Sequence, residues 1–184
     1  VLDATKYFFH GYNVYKLTSS GGSDNFIMKL DASGKLVWVK QIGASTGDDA
    51  ANGIAFDAAG DLFITGSFAG TVDFDPGAGV YPLTAPGFFP DVFVLKLNQD
   101  GDFIWVKQIG GDDADGSKAI TIDKADNIFI TGTFWNTADF DPGPGTAYLT
   151  SMANADNFIL KLTPQEVFIW LRKFVGRLAF AYLP

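Results

Sequence analysis

Apolar and polar positions alternate in short stretches of this chain. In the segment 93–97, Phe93, Leu95 and Leu97 point one way from an extended backbone, and Val94 and Lys96 the other. In 103–109, Phe103, Trp105 and Ile109 share one side while Ile104 and Val106 share the other. This period of two predicts strands. Four such runs fall in order at Gly53–Asp57, Leu62–Phe68, Val92–Leu97 and Phe103–Ile109, rich in Ile, Val, Phe and Trp. Asp57-Ala-Ala-Gly60 and Asn98-Gln-Asp-Gly101 are turn signals of hairpin length. A longer excursion, Ala69–Pro90, carries most of this unit's Gly and Pro and separates the second run from the third.

The same pattern occurs three times. Asp24-Asn-Phe-Ile-Met-Lys-Leu30 returns as Asp91-Val-Phe-Val-Leu-Lys-Leu97 and as Asp156-Asn-Phe-Ile-Leu-Lys-Leu162, at offsets of 67 (91 − 24) and 65 (156 − 91) residues. Trp38-Val-Lys-Gln-Ile-Gly43 recurs as Trp105-Val-Lys-Gln-Ile-Gly110 and, altered, as Trp170-Leu-Arg-Lys-Phe174. Asp73-Phe-Asp-Pro-Gly77 recurs as Asp139-Phe-Asp-Pro-Gly143. A period of this size marks an array of one supersecondary unit. Residues 1–43 read as a degenerate first unit. There Leu2-Asp3-Ala4 stands for Phe56-Asp57-Ala58, Tyr7–Gly11 stands for Leu62–Gly66, and the Asp-Phe-Asp-Pro-Gly insertion is missing. Residues 44–110 are the second unit with insertion 69–90, and 111–174 the third with insertion 135–154. Residues 175–184 are an extra strand or tail. A helical spacing of Val167, Leu171, Phe174, Leu178 and Tyr182 competes there, but Phe168-Ile-Trp170 keeps the strand register.

Strands apolar on both sides belong to sheets covered on both faces. If one face carries ~400 Å² of apolar surface, its burial is worth roughly 10 kcal/mol, comparable with the net stability of a whole domain. Single units must therefore stack. The expected fold is all-β: about three four-stranded antiparallel β-propeller blades in an incomplete ring. Gly47-Asp-Asp-Ala-Ala-Asn-Gly-Ile-Ala-Phe-Asp57, Gly60-Asp-Leu-Phe-Ile-Thr-Gly66, Asp91–Leu97 and Trp105-Val-Lys107, in that order, resemble the bacterial seven-bladed β-propeller repeat family (SBBP). The resemblance covers nearly all of residues 1–174. It implies blades with this strand order inside large secreted or surface proteins, and little about chemistry.

Three blades leave three arrangements: part of a larger propeller, two chains completing a six-bladed ring, or an open wedge capped by a partner. The chain begins at Val1, partway through a strand, and reads as a processed product, a fragment or a partial sequence.

Composition narrows the functions. A net charge of −8 supplies no basic stripe for nucleic acid and disfavours an anionic membrane surface. No apolar run is long enough for a spanning helix. Zero cysteines remove disulfides and thiolate metal sites, and leave the compartment open.

The first candidate site is the pair of Asp-Phe-Asp-Pro-Gly loops. Asp73 and Asp75, and likewise Asp139 and Asp141, face one side and could offer oxygen ligands to calcium, with Phe74 turned inward. The plainer reading makes these carboxylates caps for backbone N–H groups. The second candidate, Asp48-Asp49 and Asp112-Asp113-Ala-Asp115-Gly116, lacks the EF-hand spacing and is expected in solvated loops. Gly43-Ala-Ser45-Thr-Gly47 has the nucleophile-elbow pattern, but the only histidine is His10, a drifted strand residue, and the next unit has no serine there. Lys29, Lys96 and Lys161, and Lys40 and Lys107, hold equivalent positions. They are expected to pair with carboxylates such as Asp57 or Asp123, or else to line a channel that attracts anions. Trp38, Trp105 and Trp170 are expected between blades.

The expected function is that of a noncatalytic module of a secreted or cell-surface bacterial protein, acting in protein or polysaccharide binding or assembly through the two insertions. The alternatives are a structural subunit of a filament or envelope complex, and a lyase-type enzyme at the propeller's axial mouth. The partners expected are another chain or further blades to complete the ring. No cofactor is implied beyond Ca2+.

Overall fold

The computed structural model describes residues 7–9, 12–19, 22–31, 33–43, 47–152 and 154–175, with side chains in the first two strands and at 22–24 and 47–48 left aside. The positions of Leu2–Ala4, His10, Ser45 and residues 176–184 lie outside them.

Every described element is a strand. The first sheet runs β1 (Tyr7–Phe9), β2 (Tyr12–Ser19), β3 (Gly22–Leu30) and β4 (Leu36–Ile42), with the two-residue β5 (Gly47–Asp48) parallel to β3. The second contains β6 (Ala50–Phe56), β7 (Leu62–Phe68), β10 (Asp91–Leu97) and β11 (Phe103–Gly111), with the hairpin β8 (Thr71–Asp73) and β9 (Pro82–Thr84) between β7 and β10. The third repeats that plan with β12 (Gly116–Ile122), β13 (Ile128–Phe134), β16 (Asp156–Leu162) and β17 (Phe168–Phe174) around the hairpin β14 (Thr137–Asp139) and β15 (Tyr148–Thr150). The fold is all-β: three main sheets, antiparallel but for the short β3–β5 pair, and a separate β8–β9 hairpin, with no closed ring among the described residues.

The alternation pattern predicts no strand in either insertion. Both nonetheless form hairpins, and β14 also pairs with β11, Gly110 opposite Asp139 and Gly111 opposite Ala138. The third unit's insertion therefore extends the second unit's sheet. In the first unit, Tyr12 lies opposite Lys29 as Phe63 lies opposite Lys96. Tyr12, and not Phe8, thus holds the place of Phe63. Without an insertion β2 turns directly into β3, and the strand slides along the chain accordingly.

The sheets stack face to face. Phe93, Leu95 and Leu97 pack toward the first sheet with Ile27, Ile54 and Val106. Val92, Val94 and Ile109 pack toward the third sheet with Ile130, Phe158 and Leu160. Burial on both faces follows from the two-sided apolar pattern. One parity assignment changes. A bulge opposite Lys96/Leu97 places Phe103 opposite Leu97 and Trp105 opposite Lys96, so Phe103 joins Val106 on the first-sheet side and Ile104 is exposed.

One turn chemistry closes five hairpins. The side chains of Asp31, Asp57, Asn98, Asp123 and Thr163 each accept N–H bonds from residues two and four further on. The residue three further on has positive φ in every case: Gly34, Gly60, Gly101, Asp126 and Glu166. Glu166, which departs from the glycine pattern, accepts the left-handed conformation (φ 58°) and places its carboxylate 3.6 Å from Lys107.

Candidate functional site

In the Asp-Phe-Asp-Pro-Gly loops, Phe74 is buried edge-on against Phe68, with ring centroids 5.2 Å apart, and Phe140 sits against Phe134 at the same distance. The carboxylates close the loop. Asp73 Oδ1 accepts from the N–H groups of Asp75 (3.1 Å) and Tyr81 (2.7 Å), and Asp75 Oδ1 accepts from Gly77 (2.7 Å). Asp139 and Asp141 repeat this with Asp141, Ala147 and Gly143. A Cβ at Gly79 or Gly145 would collide with Oδ2 of Asp75 or Asp141, which accounts for glycine at both positions. The loops thus have a structural use for their acids. Among the described residues, no three His, Cys, Asp or Glu side chains form a group that could hold a metal.

The second set of acids is solvated only in part, with Asp112 exposed and Asp113 half-buried. Asp49 and Asp115 are buried, and so is Asp91. Asp115 Oδ1 accepts from Trp135 N (3.2 Å) and Oδ2 from Gly111 N (2.9 Å), while Asp91 Oδ2 accepts from Gln108 Nε2 (2.6 Å). Asp91 Oδ1 is buried with no hydrogen-bond partner. Both carboxylates crowd Gly110, where an added Cβ would strike Asp91 and lie 3.0 Å from Asp115 Oδ2. Burial pushes Asp91 up to about 6. Burial, with the nearby Asp91 charge adding to it, pushes Asp115 up to about 7. The sequence marks this pair only through Asp91 opening its strand. What brings it to Asp115 is the stacking of one sheet on the next.

Four of the five lysines pair with carboxylates as expected, whereas Lys29 Nζ donates to the Gln99 carbonyl (2.9 Å). Lys96 Nζ lies 3.0 Å from Asp57 and 3.1 Å from Asp61, and 4.8 Å above the Phe63 ring. Burial alone would lower its pKa, but the bonds it donates to both carboxylates outweigh it and raise the value. Lys161 repeats the arrangement with Asp123 at 3.7 Å and Phe129. Lys40 and Lys107 reach across to the next sheet, to Asp102 (3.7 Å) and Glu166 (3.6 Å). Trp38 and Trp105 pack against the two inter-sheet cores, whereas Trp170 lies edge-on to Phe129, 6.0 Å away, on the outer side of the third sheet.

Where the insertions meet, a cleft of about 330 Å³ opens between Pro86, Gly111, Asp112, Asp139 and Tyr148. Exposed aromatic side chains occur in both insertions: Phe88 is 99% exposed, and Phe89, Trp135 and Tyr148 are also exposed. Asn136 Nδ2 donates to Asp113 Oδ2 (2.6 Å), tying the third unit's insertion to the inter-sheet linker.

Antiparallel sheets of one recurring plan, stacked through apolar faces, define a repeat protein of the β-propeller class. Residues 37–67 and 104–140 match the SBBP β-propeller repeat, so two segments of the chain carry that repeat. The chain is also 28% identical over 159 residues to an uncharacterized WD repeat-containing protein of Acanthamoeba polyphaga mimivirus, a match covering 79% of this chain and 11% of that protein. It therefore spans about a tenth of that relative's length. Among solved structures, a protein of unknown function from Bacteroides caccae aligns with 91% of this chain and 74% of its own, at 12% identity and a TM-score of 0.27.

Proposed function

We propose that this chain is a noncatalytic propeller repeat module of a secreted or cell-surface bacterial protein, and that it binds polysaccharide along its insertion edge. The observation that carries the reading is the cleft lined by the exposed ring of Tyr148, with Asp112 and Asp139 beside it. Flat aromatic faces stack on sugar rings, and carboxylates accept bonds from sugar hydroxyls. Both insertions are held on a rigid sheet framework, which is how loops acquire binding roles without loss of fold. A glycan array probed with the purified chain, repeated with Tyr148→Ala and Asp112→Ala, tests it. Binding that falls at least tenfold in either variant supports the reading. Absence of glycan binding, or binding indifferent to both substitutions, refutes it. A second reading, an assembly subunit, is favoured by the open outer faces of the first and third sheets. Val39 is 53% exposed where its equivalent Val106 is 3% exposed.

A further inference from the structure

The two internal sheet junctions share one recognition scheme. At the first, Gly101 of the second sheet's β10–β11 turn sits over Trp38, where an added Cβ would lie 3.1 Å from the indole, and Asp102 pairs with Lys40. At the second, Glu166 of the β16–β17 turn pairs with Lys107, two residues from Trp105 on the same strand. In each junction a cation two residues beyond a Trp, on the fourth strand of one unit, pairs with an acid in the third-to-fourth-strand turn of the next.

The outer face of the third sheet presents the same scheme, uncovered by any described residue. Trp170 stands opposite Lys161 as Trp38 stands opposite Lys29 and Trp105 opposite Lys96, with the same bulge beside it. Arg172 stands opposite Ile159 as Lys40 stands opposite Ile27 and Lys107 opposite Val94. Ile42 and Ile109 are 4% and 2% exposed, whereas Phe174, in their register position, is 39% exposed. Arg172 stacks 5.5 Å over Trp170 and makes no ion pair among the described residues.

We propose that this face docks a further four-stranded blade whose third-to-fourth-strand turn brings a carboxylate to Arg172, and that it discriminates against the first sheet of a second copy. The second clause follows from charge. In the first sheet's turn, Gly34 matches Gly101 but Lys35 replaces Asp102. Head-to-tail stacking of two copies would set Lys35 against Arg172, and like charges at such a contact select against the wrong partner. The proposal rests on the propeller-repeat reading but not on glycan binding, since Arg172 and Lys35 lie outside the insertions.

The chain itself serves as the probe, through a charge-swap cycle in sedimentation equilibrium at low salt. Lys35 and Arg172 are both exposed, so Lys35→Asp and Arg172→Glu are expected to keep the fold, which circular dichroism checks. Each single variant should self-associate at least about tenfold more tightly than the native chain, and the double variant should return to within about threefold of it. High salt should erase the gain. Single variants that associate no better than the native chain overturn the proposal, as does a double variant tighter than either single. Glycan binding unchanged in both single variants would leave the polysaccharide reading intact whichever way the cycle falls.

Discussion

Replacing Asp91 by asparagine should stabilise the chain at neutral and alkaline pH, and the gain should vanish in acid. Asp91 and Asp115 are buried side by side around Gly110, and one Asp91 oxygen has no partner. A carboxylate raised from 3.8 to about 6 takes up a proton on folding at intermediate pH. Its favourable contribution is complete below the unfolded value near 4 and is lost as pH rises through about 6. Roughly two pKa units at 1.36 kcal/mol each make the ionised form cost about 3 kcal/mol above pH 7, with about half of that present at pH 5. The substituted amide would keep the Gln108 bond through its carbonyl and turn an N–H toward Asp115, removing the charge without leaving a hole. For a chain of this size 3 kcal/mol corresponds to about 6–12 °C in Tm. Thermal unfolding followed by tryptophan fluorescence at pH 5, 6 and 8, native against Asp91→Asn, reads the difference directly. It also cancels the opposite pH trend of Asp123, whose carboxylate the Asn127 side chain holds below the usual range. A variant less stable at pH 8, or a Tm gain independent of pH, would refute the buried-pair account.

Gly66→Ala should cost about 3 kcal/mol in chemical denaturation, because the new methyl strikes the Ala50 carbonyl and lies 2.6 Å from the Phe93 ring; Gly132→Ala should match it against Phe158. Asp73→Ala should lower stability by about 1–2 kcal/mol by orphaning the Asp75 and Tyr81 amides. If calcium occupies this loop, the native Tm rises with millimolar calcium and falls with chelator, and the Asp73→Ala Tm responds to neither. Lys96→Met should cost about 2 kcal/mol by leaving Asp57 and Asp61 without their shared cation, and the loss should shrink in the triple variant that also carries Asp57→Asn and Asp61→Asn.

Alternation and repetition carried most of the architecture. Phe93 and Val94 point to opposite cores because a strand turns its side chains by half a revolution per residue, and the structure seats them so. Lys96 finds Asp57 because both flank hairpins at one end of the same sheet. The bulge that moves Phe103 is hidden, since one skipped residue leaves no mark in composition. The hairpins inside the insertions are only three residues a side, too short for alternation to register. The burial of Asp115 depends on the neighbouring sheet's edge, where Gly111 donates to it, and adjacent acids in a glycine-rich linker read as solvated until that edge is placed.

Among the described residues, the second sheet alone has both faces covered, and this sets how the sheets open. Its amides should be the last to exchange with deuterium, for they are freed only when both neighbours peel away, whereas the outer sheets need lose a single contact. Unfolding then proceeds inward from either end like a short zipper. Covering an outer face would move that weak end one panel along and slow exchange in the panel it now shelters.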